Sequence, residues 1–138
     1  MKNLLYLLLV LPLFFSCGGT SISEVESIDV DKISNTCEWL DAQIILFEAA
    51  IAIGEEIISL EKKQGREKAS NLMGEDWQKE MHDLLDKYKI IQSKARELDG
   101  VRNKLKIRDS KLLKCPNIEK YDELKDRFID IDMATSYL

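Results

Sequence analysis

Apolar residues recur at helical spacing along three stretches of this chain, a pattern that predicts an all-α fold. The first stretch begins at Asn35, which with Glu38 three positions later forms a capping-box-like start signal for a helix. The apolar positions that follow are Leu40, Ile44, Phe47 and Ile51, with Ile58 one turn beyond Gly54. Residues 44–53 are apolar almost all round, and such a helix is usually flanked by neighbours on more than one side. We therefore expect a first helix from residue 35 to at least Leu60, packed at the centre of the fold.

The second stretch has apolar residues at strictly alternating intervals of four and three, the heptad spacing of bundles and coiled coils. This seam is formed by Trp77, Met81, Leu84, Tyr88, Ile91, Ala95 and Leu98, and Leu105 and Leu112 continue it past Gly100. Cys115-Pro116 interrupts the pattern, and a third helix is predicted from Ile118, Tyr121, Leu124, Phe128 and Ile131. The three stretches predict a three-helix up-down-up bundle over residues 35–138, built on a long antiparallel helical hairpin.

The two cysteines that lie within this bundle, Cys37 and Cys115, bear on how the hairpin is aligned. If the first helix continues through the polar residues after Leu60 and the chain turns near 73–76, both cysteines lie at the open end of the hairpin. That register also places the third helix along the most apolar part of the first. We favour it, and it predicts a disulfide between Cys37 and Cys115, the bond that an even number of cysteines would suggest if the chain is exported.

A second register remains open. If residues 62–75 are all loop, Leu40–Leu60 faces Trp77–Leu98 and matches apolar positions better. On a straight second helix Cys115 then lies about 20 Å from Cys37 at 1.5 Å per residue. No disulfide forms over that distance. A bend at Gly100 would bring the two thiols back together.

The start of the chain carries an export signal. Lys2 provides a positive charge, and an almost unbroken apolar run from Leu4 to Phe15 follows. The run is about 12 residues long, too short to cross a membrane and the usual length of a signal-peptide core. It ends in Leu13-Phe14-Phe15-Ser16-Cys17-Gly18-Gly19, which resembles the lipobox of bacterial lipoproteins: apolar residues, a small residue, then cysteine. The resemblance covers roughly the first 20 residues.

This resemblance implies that residues 1–16 are removed and that Cys17 is lipidated, as the first residue of a membrane-anchored protein. Several acyl chains make such an anchor effectively permanent. Gly18 replaces the Asp that retains some lipoproteins in the inner membrane, and the first acid is Glu24. We therefore expect an outer-membrane protein that faces the periplasm, with the cell surface as the alternative. Residues 17–34 are small, polar and acidic, so we expect a lipidated flexible tether, with order only near its end as the alternative to flexibility throughout.

Composition narrows the class of function. The chain has 138 residues and a net charge of −5. Removal of residues 1–16 takes away one lysine and leaves about −6, which disfavours nucleic acid as a partner because phosphate binding needs a basic surface. The many Leu, Ile, Lys and Glu residues with few Gly and Pro are typical of helical proteins. We expect a single small domain.

The candidate chemistry is sparse. The only histidine, His82, has Gln78, Lys79 and Asp86 at helical spacing and is expected on a solvated face. Glu48 lies within the apolar run of the first helix, where it could be an acid with a raised pKa, although such residues more often pair with a lysine at a bundle margin. No nucleophile elbow, phosphate loop, Cys-x-x-Cys or metal-ligand spacing occurs. We predict no catalytic residue, no metal and no cofactor.

One basic segment follows Gly100. Lys104, Arg108 and Lys111 would share one face if the second helix continues through them. This face could contact anionic headgroups or an acidic partner. The simpler interpretation is that this face is exposed to solvent and that its positive charges complement the acids of the third helix, Asp122, Asp126 and Asp130.

These features predict a membrane-anchored, non-catalytic lipoprotein whose small helical domain binds a protein partner in the cell envelope. The alternative is a structural, self-associating spacer lipoprotein, since the apolar first helix and the heptads of the second would serve oligomerisation. Carriage of a small ligand between the helices is a third reading. The sequence does not identify the partner or the oligomeric state.

Overall fold

The computed structural model describes residues 21–68 and 75–135, and the described part is α-helical without β-strands. Its helices are α1 (Ile22–Glu26), α2 (Thr36–Lys68), α3 (Glu75–Leu105), α4 (Asp109–Leu112) and α5 (Ile118–Thr135), with a 3₁₀ turn at Val30–Lys32. The predicted all-α bundle is confirmed. Its three long helices, α2, α3 and α5, run up, down and up.

Helix α2 begins at the predicted signal. The Asn35 side-chain oxygen accepts hydrogen bonds from the backbone N–H groups of Cys37 and Glu38, at 3.0 Å each, so it satisfies two donors that the first turn leaves free. The Glu38 carboxylate accepts from the Ser34 N–H at 2.7 Å, one position earlier than in a standard capping box. These hydrogen bonds hold the pKa of the exposed Glu38 carboxyl below its ordinary value.

Two tryptophans fix the alignment of α2 and α3. Trp39 is buried and its Nε1–H donates to the Leu98 carbonyl at 2.8 Å, while Trp77 Nε1–H donates to the Leu60 carbonyl at 3.1 Å. These contacts align the helices as in the second register, so the register favoured from the cysteines is wrong. The loop that the second register assumed from residue 62 is also wrong, because α2 continues to Lys68.

The disulfide forms in spite of this alignment because the chain reverses after Leu105. The Lys106 N–H donates to the Asn103 carbonyl and the Ile107 N–H to the Arg102 carbonyl, the two bonds of a Schellman C-cap. Lys106 has φ 50°, the left-handed position that glycine usually occupies in this motif. Residues 106–117 then fold back over the end of the hairpin and include the short helix α4.

Cys37 and Cys115 are joined by a disulfide whose Cα atoms lie 5.3 Å apart. The predicted pairing is therefore present, but it depends on a reversal after Leu105 rather than on the favoured register or on a bend at Gly100. Asn117 strengthens the same junction, since its side-chain amide donates to Asp41 Oδ1 at 2.8 Å. The bond and this contact hold the start of α5 against the start of α2.

Helix α5 packs along α2 in the same direction. Phe47 of α2 contacts Tyr121 and Phe128, with ring centroids 5.6 and 5.3 Å apart. Two ion pairs flank this stack: Lys120 with Glu48 at 2.6 Å, and Arg127 with Glu55 at 2.7 Å. Glu48 therefore pairs with a lysine at the bundle margin.

The segment before α2 is packed, and the prediction of a flexible tether over residues 17–34 is wrong for its described part, from residue 21 on. Ser21 and Glu24 form a reciprocal capping box at the start of α1, and Val25 is fully buried. Lys94 of α3 donates to the Ile28 carbonyl at 3.1 Å. Buried apolar side chains and capped backbone groups offset the entropy of ordering this segment.

The all-round apolarity of residues 44–53 follows from these neighbours. Helix α2 meets α3 along one face and α5 along another, and α1 packs against both hairpin helices on a further side. The side chains that α2 buries are Trp39, Leu40, Gln43, Ile44, Leu46, Ile51, Ile53, Ile57 and Leu60, together with three alanines. The central position predicted for this helix is confirmed.

Candidate functional site

A groove opens beside the hairpin because α5 is much shorter than α2. Helix α5 has 18 residues and α2 has 33. Both start at the disulfide end. The Ile131 side chain of α5 packs at Gly54, so Thr135, the last described residue of α5, lies about one turn beyond Gly54. Helix α2 continues to Lys68, about 10 residues past that point, or about 15 Å at 1.5 Å per residue. Along this part no third described helix covers the seam between α2 and α3.

The groove has a volume of about 400 Å³ and apolar walls. Its lining comes from α2 (Ala50, Gly54, Ile57, Glu61), α3 (Trp77, Met81, Leu85, Tyr88, Gln92) and α5 (Phe128, Ile131, Asp132, Thr135). Leu85 is 42% exposed, which is high for a leucine on the inner side of a bundle. Three of the five α3 lining residues, Trp77, Met81 and Tyr88, belong to the heptad seam predicted from sequence, whereas Leu85 and Gln92 lie beside it.

Glycine at position 54 allows α5 to approach closely. A Cβ at this position would lie inside the van der Waals contact distance of Ile131 Cγ2. Close packing there fixes the position of α5 along α2, and the open part of the groove begins about one turn further on, past Thr135. Thr135 closes the last turn of α5, because its hydroxyl donates to the Ile131 carbonyl at 3.0 Å.

Two acidic side chains, Glu61 and Asp132, lie among the residues that line the groove, and no described lining residue is basic. The Tyr88 hydroxyl donates to Asp132 Oδ1 at 3.5 Å. Burial raises the pKa of Tyr88 above its ordinary value, and the Asp132 carboxylate raises it further. The hydroxyl therefore stays protonated and remains a donor at neutral pH. The groove combines an apolar floor with acidic edges.

The groove and the N-terminal segment lie on different faces of the hairpin. Ser21 and Ile22 lie beside Ala49 and Ile53 of α2 and Lys87 of α3. The groove uses Ala50, Gly54 and Ile57 of α2 instead. At 100° per residue these two sets are roughly a third of a turn apart on the helix. Ser21, the first described residue, therefore lies on a different face of α2 from the groove.

The predicted basic face does not exist as a single helical face. Lys104 lies in the last turn of α3, Arg108 is the N-cap of α4 and Lys111 lies within α4, because the reversal at Lys106 separates them. All three are exposed, and none is ion-paired with a described residue of the third long helix or elsewhere. The described acids of α5 therefore form no ion pairs with these three basic side chains. Arg102 acts structurally, with its guanidinium 5.4 Å from the Trp39 ring centroid and 3.0 Å from Asp109 Oδ1.

The other candidate groups take ordinary positions. His82 is exposed on α3, as predicted. Within residues 21–68 and 75–135, no group of three metal-ligating side chains converges. No helix in the same described ranges is long and apolar enough to span a bilayer. The lipidation site predicted at Cys17 and the leader before it lie outside the described residues.

Sequence reasoning did not identify the groove, although a signal for it was present. The third apolar stretch ends near Ile131 and is about two thirds as long as Leu40–Leu60 or Trp77–Leu98. In an up-down-up bundle this mismatch leaves part of the hairpin uncovered. Trp39 and Val25 were also missed, since neither belongs to the apolar series from which the helices were predicted.

Comparison with known proteins gives no relative. No protein-family model matches the chain, no curated protein is significantly similar to it, and no solved structure matches its fold.

Proposed function

We propose that this chain is the precursor of a bacterial lipoprotein, anchored in the envelope through a lipid on Cys17, whose non-catalytic helical domain binds a helix of an envelope protein in the groove between α2, α3 and α5. The outer membrane, facing the periplasm, is the proposed location. The lipobox-like residues support the anchor. The groove supports the binding activity, and it is the observation that carries the proposal.

The size of the groove supports a helix as its occupant. It continues the space that α5 fills along α2, and its open part is about 15 Å long, equal to roughly three helical turns. Helices commonly recognise such grooves through apolar residues spaced three and four apart. Ile57, Met81 and Leu85 provide the apolar surface. A helix of about 10 residues would therefore complete the bundle.

The charge of the groove supports one kind of helix. Both charged side chains among the described lining residues, Glu61 and Asp132, are acidic. A partner helix with an apolar face and flanking lysines or arginines is complementary to that pattern. A second copy of this chain is a poorer fit, because the whole chain is acidic at −5. The described N-terminal segment, from Ser21 on, packs on a different face of the hairpin and leaves the groove open to a partner.

A matched pair of variants tests the proposal. Leu85→Glu places a charge in the groove, and Ile129→Glu places one at an equally exposed apolar residue outside the lining; the two side chains are 42% and 43% exposed. Both variants should keep the thermal unfolding midpoint of the native chain. We expect one stoichiometric envelope partner, captured by chemical crosslinking in cells, to be lost with Leu85→Glu and retained with Ile129→Glu.

The crosslinked peptides complete the test. The proposal requires that they join residues of the groove to a segment of the partner with an apolar helical face and basic flanks. Equal capture by both variants would refute the groove as the binding site. If light scattering shows a dimer that Leu85→Glu dissociates, the occupant is a second copy and the spacer function replaces this one.

A further inference from the structure

The reversal after α3 carries a concentrated positive charge. Five exposed basic side chains occupy residues 104–114, which we call the basic corner: Lys104, Lys106, Arg108, Lys111 and Lys114. Asp109 is the only acid in that span and is paired with Arg102. The corner has a formal charge of +4 in a chain of −5, so the remaining residues sum to −9. None of the five bases is ion-paired within the described part of the chain.

An exposed leucine lies among these bases. Leu113 is 72% exposed, more than any other large hydrophobic side chain reported for the described residues. It follows α4 directly, between Lys111 and Lys114. An apolar side chain flanked by lysines is typical of protein surfaces that insert at the boundary between lipid headgroups and acyl chains.

The short connection to the expected anchor brings a membrane within reach. Three residues separate Cys17 from Ser21, where the packed chain begins, and such a segment spans at most about 14 Å. Ser21 lies beside Ala49 and Ile53, about halfway along α2. The bundle is about 50 Å long at 1.5 Å per residue. A connection this short brings the long side of the bundle to the bilayer, where the disulfide end can also reach it.

We infer that the basic corner, residues 104–114, is a second membrane contact that binds anionic phospholipid headgroups, with Leu113 inserted between them. It uses the lipid anchor of the proposed function but not the groove. The contact orients the bundle along the membrane and leaves the groove exposed to its partner. Because the bases lie on α3, the turn and α4, the reversal at Lys106 is what brings them together.

The test uses the chain purified from its membranes with its lipid, bound to vesicles of phosphatidylcholine alone or mixed with phosphatidylglycerol. Flotation with the neutral vesicles reports the anchor, independently of the corner. Amide hydrogen exchange then reports the corner. We expect the amides of residues 106–114 to exchange about tenfold more slowly on the anionic vesicles at low ionic strength. High salt should abolish the difference, because it screens charges on the surface.

Charge reversal provides the matched control. Lys104→Glu/Arg108→Glu/Lys111→Glu should abolish the protection, whereas Lys62→Glu/Lys63→Glu/Lys79→Glu, an equal change at exposed sites far from the corner, should retain it. Equal exchange of the native chain on both vesicle types would overturn the inference, and so would equal loss in both variants. Protection by an acidic envelope protein but not by anionic vesicles would also overturn it. Each of these results leaves the flotation and groove tests unaffected.

Discussion

The close packing at Gly54 predicts a mutation whose effect on stability changes sign with its neighbour. Gly54→Ala should gain about 1 kcal/mol, because alanine loses less backbone entropy than glycine in a helix interior. Against this, the new methyl group meets Ile131 Cγ2. A β-branched side chain in a helix has one strongly preferred χ1 rotamer, so that methyl cannot swing away. Overpacking of this kind costs about 1–3 kcal/mol.

The two effects set the expected values. In the native background Gly54→Ala should lower the free energy of unfolding by up to about 2 kcal/mol. With Ile131→Ala already present, the clash is gone and the same change should raise it by about 1 kcal/mol. Gly100→Ala is the matched control, since a Cβ at Gly100 meets nothing within 4 Å. It should stabilise the chain by about 1 kcal/mol in both backgrounds.

Denaturant unfolding of the four chains in this cycle, followed by circular dichroism, measures the coupling between positions 54 and 131. A coupling of about 1–3 kcal/mol is expected. If Gly54→Ala stabilises the native chain as much as Gly100→Ala does, α5 does not pack against Gly54 as the structure has it. In that case the end of α5, and with it the start of the open groove, would need to be placed elsewhere.

Three further predictions concern the disulfide end and the tyrosines. Replacing Cys37 and Cys115 by alanine opens the loop that the disulfide closes over a sequence separation of 78 residues. The free energy of unfolding should fall by about 4.5 kcal/mol in the chain-entropy estimate. An unchanged denaturation midpoint would contradict this prediction. Lys106→Gly should raise the free energy of unfolding by about 1 kcal/mol, because glycine adopts the left-handed backbone conformation without the steric cost of a side chain. Lys104→Gly, within α3, should lower it by about 1 kcal/mol, because glycine loses more backbone entropy in a helix. Equal effects of the two substitutions in thermal unfolding would refute the C-cap assignment. Burial raises the pKa of Tyr121 above its ordinary 10.0, more than nearby Arg102 lowers it. Tyr121 then ionises at lower pH in the unfolded chain than in the folded one, so the free energy of unfolding should fall as the pH rises from about 10 through the raised pKa. Between neutral and alkaline pH, the denaturation midpoint of Tyr121→Phe should therefore fall less than that of the native chain. Equal slopes would exclude Tyr121 as the cause of the loss of stability.

The helices and their buried faces could be predicted because they repeat. Leu84, Ile91 and Leu98 recur every seven residues, and all three are buried, since a regular spacing keeps one stripe of a helix against its neighbour. The same reasoning fails for Val25, a single apolar residue among polar ones. Its burial depends on the packing of α1 against α2 and α3, two helices that come later in the chain. One isolated residue carries no periodic signal for such a site.

The register and the basic corner were mispredicted for a common reason. The helix α3 ends just before Lys106, where no glycine or proline marks a break. The heptad spacing therefore continues in the sequence from Leu105 to Leu112, although the helix does not. A straight helix there would separate Cys115 from Cys37 in the actual alignment of the hairpin. A disulfide between them would then require the other register, which is why the cysteines favour it. The actual reversal makes that register unnecessary. It also divides Lys104, Arg108 and Lys111 among different elements.

The sequence by itself determined that the described chain is helical, which faces of its three long helices are apolar, and that two cysteines are available to pair. It also carries the lipobox-like signal on which the proposed anchor depends. These are local properties, set by spacing and residue type along one helix or one segment. Tertiary structure alone decided the alignment of α2 with α3, the packing of α1 and the position along α2 at which α5 packs. Each of these depends on contacts between residues far apart in the chain, such as Trp39 with Leu98 and Gly54 with Ile131, and no local pattern specifies which distant residues will meet.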